Sequence, residues 1–427
     1  MERRTFLKSF VAASLAGTAG ASEPAEHTSP SRNGRNHALA GGTLPAWRPG
    51  EFQVHFIYTG VAESSFWIMP DGTTMLLDCG DLPAINRGKG ALWVLPNGHR
   101  HAGEWIARYV TRVNPHKTDV DIMMISHHHD DHAGSDTWGA GVREWKGEKL
   151  SVSGFLQAAD TLKFRCGFDR GWPDFSEPIP NELCDKIAYR HIRKTIDYLA
   201  ERDGLVMEKF DVGAVNQVSM RRDPGAFPLF RTVNIAGNGK IRRRDGEVVD
   251  LYRDRRGAKK LDENPLSLGL RVEYGPFALW TCGDLKSMPE AEIAKETDPV
   301  DVAKLNHHGC GDSTPPELVS ALRAGVWVSG QWGQGHFRAK TLEKITSREL
   351  YPGPRLVAPC VFSPERRLAE SSCRYMQDVA VESFDAGHVV ITVAPGGETY
   401  TVAYVTADDE SMRVTGAYDF VSHGVDA

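Results

Sequence analysis

Beyond residue 50, short runs in which apolar and polar positions alternate are each ended by a turn residue. Residues 52–58, 65–69 and 74–78 read as three strands, with Pro70-Asp71-Gly72 turning between the last two and Cys79-Gly80-Asp81 closing the third. This pattern predicts a β-meander. From Gly103 the spacing turns helical, with Trp105, Ile106, Tyr109, Val110 and Val113 on one face, and the apolar run at 119–126 then predicts a buried strand. Residues 181–203 predict a long helix, 214–220 a strand, and the Arg-, Asp- and Gly-rich stretch 221–265 a loop-rich insertion.

A second β-rich half repeats the design. A hairpin is predicted at 268–274 and 277–282 around Gly275-Pro276, followed by a strand at 300–305, a helix at 315–323, a strand at 326–329 and a helix at 339–348. A terminal hairpin at 388–393 and 399–405 turns at Pro395-Gly396-Gly397. Strands and helices alternate in both halves, which places the chain in the α/β class.

Chemistry gathers at the ends of these strands. The run 119–126 leads into His127-His128-His129-Asp130-Asp131-His132, a density of metal-type side chains for which a structural turn has little use. Divalent ions that activate water take imidazole nitrogens and carboxylate oxygens. In the pattern His127-x-His129-x-Asp131-His132, the first two imidazoles emerge on one side of a loop, Asp131 and His132 turn toward a second ion, and His128 and Asp130 are spacers. Asp284 follows the strand 277–282, where Gly283 allows close approach, and is the candidate bridging carboxylate. A Gly-Asp turn alone is ordinary; its place before His307-His308-Gly309, at the end of the run 300–305, singles it out. Of that pair, one is expected to bind metal and the other to face substrate or orient a ligand. His336 is a candidate proton donor, although a lone loop histidine is more often without a role. His191, in the middle of the helix 181–203, is expected to face solvent.

The net charge of −6, from 50 basic and 56 acidic residues, gives no global attraction for a polyanion and leaves only a local basic cleft open for nucleic acid. Arg242-Arg243-Arg244 and Arg253-Asp254-Arg255-Arg256 read as a solvated loop, with a phosphate-substrate clamp as the alternative. Seven cysteines without a C-x-x-C pair exclude zinc ribbons and thioredoxin-like sites. At the N-terminus, Arg3-Arg4-Thr5-Phe6-Leu7-Lys8, a mildly apolar stretch and Ala19-Gly20-Ala21 resemble a twin-arginine signal peptide over residues 1–21. This implies passage through the twin-arginine translocase to the periplasm or beyond. Residues 22–50 are expected to be a disordered spacer and 51–427 the folded domain. No run reaches the roughly 18 apolar residues of a membrane span.

In their order, His127-x-His129-x-Asp131-His132, Asp284 and His307-His308-Gly309 resemble the metallo-β-lactamase-fold hydrolases. With Asp78-Cys79-Gly80-Asp81 they are similar to the competence-type DNA-internalisation hydrolases and phosphorylcholine esterases, over roughly residues 52–340. The resemblance implies an αββα sandwich of two mixed β-sheets flanked by helices, with two divalent ions, zinc or manganese. His127 and His129 would hold one ion, Asp131, His132 and His308 the other, and Asp284 would bridge them. The implied nucleophile is a hydroxide shared by the ions and oriented by Asp131, with His307 or His336 protonating the leaving group. The implied substrate is a phosphoester or phosphodiester; a carboxylic ester, lactone or β-lactam is the alternative, and a non-catalytic binding module a third. Two departures stand out. The histidine that many members carry between the first motif and the bridging aspartate has no counterpart except His191, leaving Asp169 as a candidate oxygen donor or else a salt-bridged turn residue, and Cys310 stands where the phosphodiester-cleaving relatives tend to have serine.

Overall fold

The computed structural model describes residues 34–82, 94–184, 188–255, 258–330, 332, 336 and 338–423. The twin-arginine segment lies outside these residues. In the first half, β1 (Phe52–Phe56), β2 (Ser65–Ile68) and β3 (Thr74–Leu77) form the expected meander. Helix α1 (Ala102–Val113) leads to β4 (Asp119–Ile125), which runs parallel to β3 and ends in the short helix α2 (Asp130–Ala133). A small hairpin of β5 (Val142–Trp145) and β6 (Glu148–Ser151), helix α3 (Gly154–Ala158), β7 (Lys163–Asp169), helix α4 (Ala188–Asp203) and β8 (Val206–Lys209) follow.

The second half contributes β9 (Phe230–Gly237), β10 (Lys240–Arg242), β11 (Val248–Asp250), β12 (Gly269–Tyr274) and β13 (Phe277–Thr281). Helix α5 (Ser287–Ala294), β14 (Val302–Lys304), helix α6 (Pro316–Leu322), β15 (Val326–Ser329), helix α7 (Ala339–Ile345) and β16 (Leu356–Pro359) complete it. After helix α8 (Pro364–Glu370), β17 (Gly387–Val393), β18 (Thr399–Thr406) and β19 (Val414–Val421) return to the first sheet, where β17 pairs with β1. The result is a nine-stranded sheet in the order β19-β18-β17-β1-β2-β3-β4-β7-β8 and an eight-stranded one in the order β11-β10-β9-β12-β13-β14-β15-β16.

Alternation explains how the sheets pack. Phe52, Val54 and Phe56 on β1 enter one core with Leu270, Val272, Leu279 and Val326 of the other sheet. The outer face of the first sheet is covered by Ile106 and Val110 of α1 and Ile192, Ile196 and Leu199 of α4. Leu318, Leu322, Leu342 and Ile345 from α6 and α7 cover the outer face of the second. Helix, sheet, sheet and helix are stacked in that order. Among the described residues no helix is long and apolar enough to cross a membrane. All seven cysteines are free thiols.

The stretch 221–265 is loop-rich as expected, with the three strands β9, β10 and β11 set into it at one end of the second sheet. Three expectations change. Residues 214–220 are not a strand: Val215 makes an isolated bridge to Val233, and Asn216 at φ 57 breaks the extended run. The helix predicted at 181–203 is a 3-10 turn, Asn181–Leu183, followed by α4. The described part of the expected spacer is ordered. Gly41 N–H and Gly42 C=O bond to Val414, and Leu39 and Leu44 pack on β17 to β19. Few apolar residues marked this segment, and its partner strand lies at the far end of the chain.

Candidate metal centre

Parallel strands of both sheets end at one shared edge. In the first sheet β3 stops before Asp78, β4 before Ser126 and the histidine run, and β7 at Asp169. In the second, β13 stops before Cys282-Gly283-Asp284, the parallel β14 leads through Leu305 to Asn306-His307-His308, and β15 stops at Ser329. The carboxyl ends of parallel strands are where open α/β sheets leave a crevice. Two glycines bring the loops together. At Gly283, φ 50, an added Cβ would sit 2.9 Å from Ser126 Oγ, and at Gly80 it would lie 1.8 Å from the Asp131 carbonyl oxygen. His307 and His308 both adopt left-handed conformations, φ 48 and 53, at a cost of about 1–3 kcal/mol each. The kink is held by Asn306, whose side chain accepts from Cys282 N–H at 3.2 Å and donates to Glu290 at 2.9 Å.

His127, His129, Asp131, His132, Asp284 and His308 are all buried at this edge. Their rings are turned by what lies behind them. His132 Nδ1 is 2.8 Å from Asp78 Oδ2, and Asp78 accepts the Ser126 N–H and O–H, each at 2.7 Å. His127 Nδ1 is 3.1 Å from Ser126 Oγ. His308 Nδ1 faces the Gly330 carbonyl at 3.0 Å, with Glu63 Oε2 at 2.8 Å. The Nε2 atoms therefore point into a common space. Asp284 lies between them, with Oδ1 3.3 Å from His132 Nε2 and Oδ2 3.2 Å from His308 Nε2 and 4.0 Å from His127 Nε2. Asp131 Oδ2 is 3.0 Å from His308 Nε2 and 3.7 Å from His132 Nε2. The His129 ring stands 4.7 Å from that of His127.

These residues fit a divalent cation. His127 Nε2, His132 Nε2 and Asp284 Oδ1 are buried without a hydrogen bond, whereas buried polar atoms are almost always paired. Separations of 3.0–4.0 Å suit neighbouring donors that each stand about 2.0–2.2 Å from a shared ion. Charge agrees: among the described residues the buried carboxylates of Glu63, Asp78, Asp131 and Asp284 face one buried ammonium, Lys304. Burial opposes charging His132 and His308, yet the carboxylates, Asp284 foremost, hold both imidazoles well above their ordinary value. Burial, then His132 and His129, push His127 well below it, leaving a neutral donor. Imidazole with carboxylate is a donor set for zinc or manganese.

His307 sits at the rim, a fifth exposed, with Nδ1 2.7 Å from Asp312 Oδ1 and Nε2 3.1 Å from Asn264 Nδ2. His336 stacks on His308 at 4.7 Å and meets Trp332 edge-on. Burial and then His308 push His336 down to about 3, which favours its neutral ring. Trp332 Nε1 donates to Asp131 Oδ2 at 2.5 Å.

Asp169 is elsewhere. Its oxygens take His128 Nε2 at 2.9 Å and the Gly171 N–H at 2.7 Å. His128, expected to be a spacer, is buried, and its N–H bonds Glu263, which Arg170 grips from the other side. His191 does not face solvent. It shares the buried stripe of α4 with Ile192, Thr195 and Ile196, touches the Ser153 carbonyl at 3.3 Å and is pushed down to about 4 by burial. Its charged neighbours Arg190, Arg193 and Lys194 hid that stripe in the sequence.

Glu63 escaped sequence reasoning. Glu63, His132, Asp284 and His308 offer donor atoms within 4.8 Å of one another. Glu63, however, approaches His308 from the Nδ1 side, while Asp284 and Asp131 meet Nε2. It backs a ligand instead of joining the donors. The one sequence signal was Lys304: an ammonium inside an apolar strand needs a buried carboxylate.

No protein-family model matches the chain, and no curated protein does. Solved structures overlap it loosely. The metallo-beta-lactamase fold protein YhfI from Bacillus subtilis does so at TM-score 0.35 and 10% identity, over 72% of this chain and 96% of that one. A protein described as a metal-dependent hydrolase from Parabacteroides distasonis gives 0.31 and 13%, over 75% and 98%. Human tRNase Z, short form, gives 0.27 and 13%, over 64% and 91%.

Proposed function

We propose that this chain is a metal-dependent hydrolase whose centre takes two divalent ions, zinc or manganese, with Asp284 between them, and that it cleaves a phosphoester or phosphodiester. The observation that carries this is Asp284 within 3.2–4.0 Å of three buried imidazole Nε2 atoms, two of which have no hydrogen bond. His127 and His129 would hold one ion, and Asp131, His132 and His308 the other. When bound, such ions lower the pKa of water toward about 7 and polarise the scissile oxygen. The chain's own residues do the rest. Asp131, steadied by Trp332, orients the attacking water. His307, whose Nδ1–H is held by Asp312 and whose Nε2 accepts from Asn264 Nδ2, stands at the rim, where it would exchange Asn264 for the leaving group in order to protonate it. His336 contributes a hydrogen bond from a neutral ring. The phosphoryl class is favoured by the His307-His308-Gly309 motif; Cys310, a half-buried thiol pushed up to about 11 by burial, is a weaker phosphate donor than serine.

The test is a panel of a bis-aryl phosphodiester, an aryl ester, a lactone and a chromogenic β-lactam, assayed with and without chelator. Chelator-sensitive turnover of the phosphodiester is expected. Turnover of carbonyl substrates alone would overturn the substrate class, and no turnover by ion-loaded protein would favour a binding module. We also propose export by the twin-arginine translocase, supported by Arg3-Arg4 and Ala19-Gly20-Ala21. An Arg3→Lys, Arg4→Lys chain should accumulate in the cytoplasm, and unchanged export would contradict this.

A further inference from the structure

Glu63 belongs to no motif, yet from the loop between β1 and β2 it touches the histidine run at Asp131, the Gly80 turn and His308. Its N–H donates to the Asp131 carbonyl at 2.8 Å and its carbonyl accepts from Gly80 at 3.4 Å. Its side chain is buried, with Oε1 2.6 Å from Lys304 Nζ and Oε2 2.8 Å from His308 Nδ1. Lys304 in turn donates to the carbonyl of Gly283, the residue before Asp284, at 2.8 Å. One ammonium thus supports the backbone beside the bridging carboxylate and the carboxylate behind an imidazole.

We propose that Glu63 and Lys304 are positioning residues that set the ion affinity of His308. This role rests on the function proposed above. The Gly330 carbonyl orients the ring, and the charge of Glu63 beside Nδ1 makes Nε2 a stronger donor, as carboxylates behind metal-bound imidazoles do. Lys304 holds Glu63 in place. A pair that served only stability would have no reason to face a ligand's far nitrogen, since two buried charges of this kind are often replaceable by apolar residues at no loss of stability.

The test compares the full chain with Glu63→Gln, Lys304→Met and the double variant. Zinc affinity is read by chelator competition, ligand-field strength by the absorption of the cobalt-substituted protein, and folding by melting of the ion-free protein. Glu63→Gln is expected to lower zinc affinity by about 10- to 100-fold and to shift the cobalt bands. The double variant, which leaves no unpaired buried charge, is expected to recover the melting temperature lost in the single variants while its zinc affinity stays low. Wild-type affinity in Glu63→Gln, or affinity regained together with stability in the double variant, would overturn the proposal. A wild-type chain that binds no zinc, manganese or cobalt would remove the proposed function, and this role with it.

Discussion

Two groups of histidines are buried in this molecule, and only one is built to meet a cation. His55 is held by the Tyr109 hydroxyl at 3.1 Å and the Gln53 side chain at 3.3 Å, His388 accepts the Tyr58 N–H at 3.0 Å, and His191 touches a carbonyl. All their partners are neutral. Burial pushes His55 and His388 down to about 3 and His191 to about 4, so each is a satisfied, uncharged ring. At the centre, His132 and His308 are backed by Asp78 and Glu63, face Asp131 and Asp284, and are held well above the ordinary imidazole value. Burial is the same in both places. What separates the two groups is the charge of the partners and, at His127 and His132, an Nε2 left without a hydrogen bond.

The comparison can be broken at several points. Asp284→Ala removes the donor proposed to be common to both sets, and loss of one side of a buried charged pairing is worth about 3–5 kcal/mol, or roughly two to four powers of ten in ion affinity. Chelator competition should show both ions weakened together. Asp78→Asn keeps the shape behind His132 but not the charge, and its ion affinity should fall about 10- to 100-fold. The neutral group responds to acid instead. Because the folded values of His55 and His388 lie below 6.5, the unfolded chain takes up protons first as pH falls. Their contribution is therefore whole above about pH 6.5 and is lost toward pH 3, at about 1.4 kcal/mol per pH unit for each ring. The denaturant midpoint of the wild type should fall with acid, and His55→Phe should make that fall shallower without changing ion content. The smallest effect belongs to Asp169→Asn, which should cost about 1 kcal/mol of stability through His128 and leave ion content intact; a loss of ion there would place Asp169 among the donors.

Much of this was legible in the chain. Strand runs ending at Cys79-Gly80, at the histidine run and at His307-His308 located the ligand loops, because alternation and turn residues are local signals. The failures were of a different kind. The short strands β10 and β11 look like loop because they form a charged, partly exposed end of the sheet, and residues 34–50 look disordered because the strand they lean on lies at the other end of the chain. His191 was assigned to solvent because charged residues flank it on both sides. Glu63 carried no spacing pattern at all; its role exists only through a lysine and a histidine brought to it by the second sheet.

Asp284 is proposed to join two sets of buried imidazoles around divalent ions, and elemental analysis of the purified full chain beside Asp284→Ala puts this to the test. The account predicts about two equivalents of zinc or manganese in the wild type, lost together in the variant. A well-folded wild type that takes up neither ion, or a variant that keeps both, would contradict it.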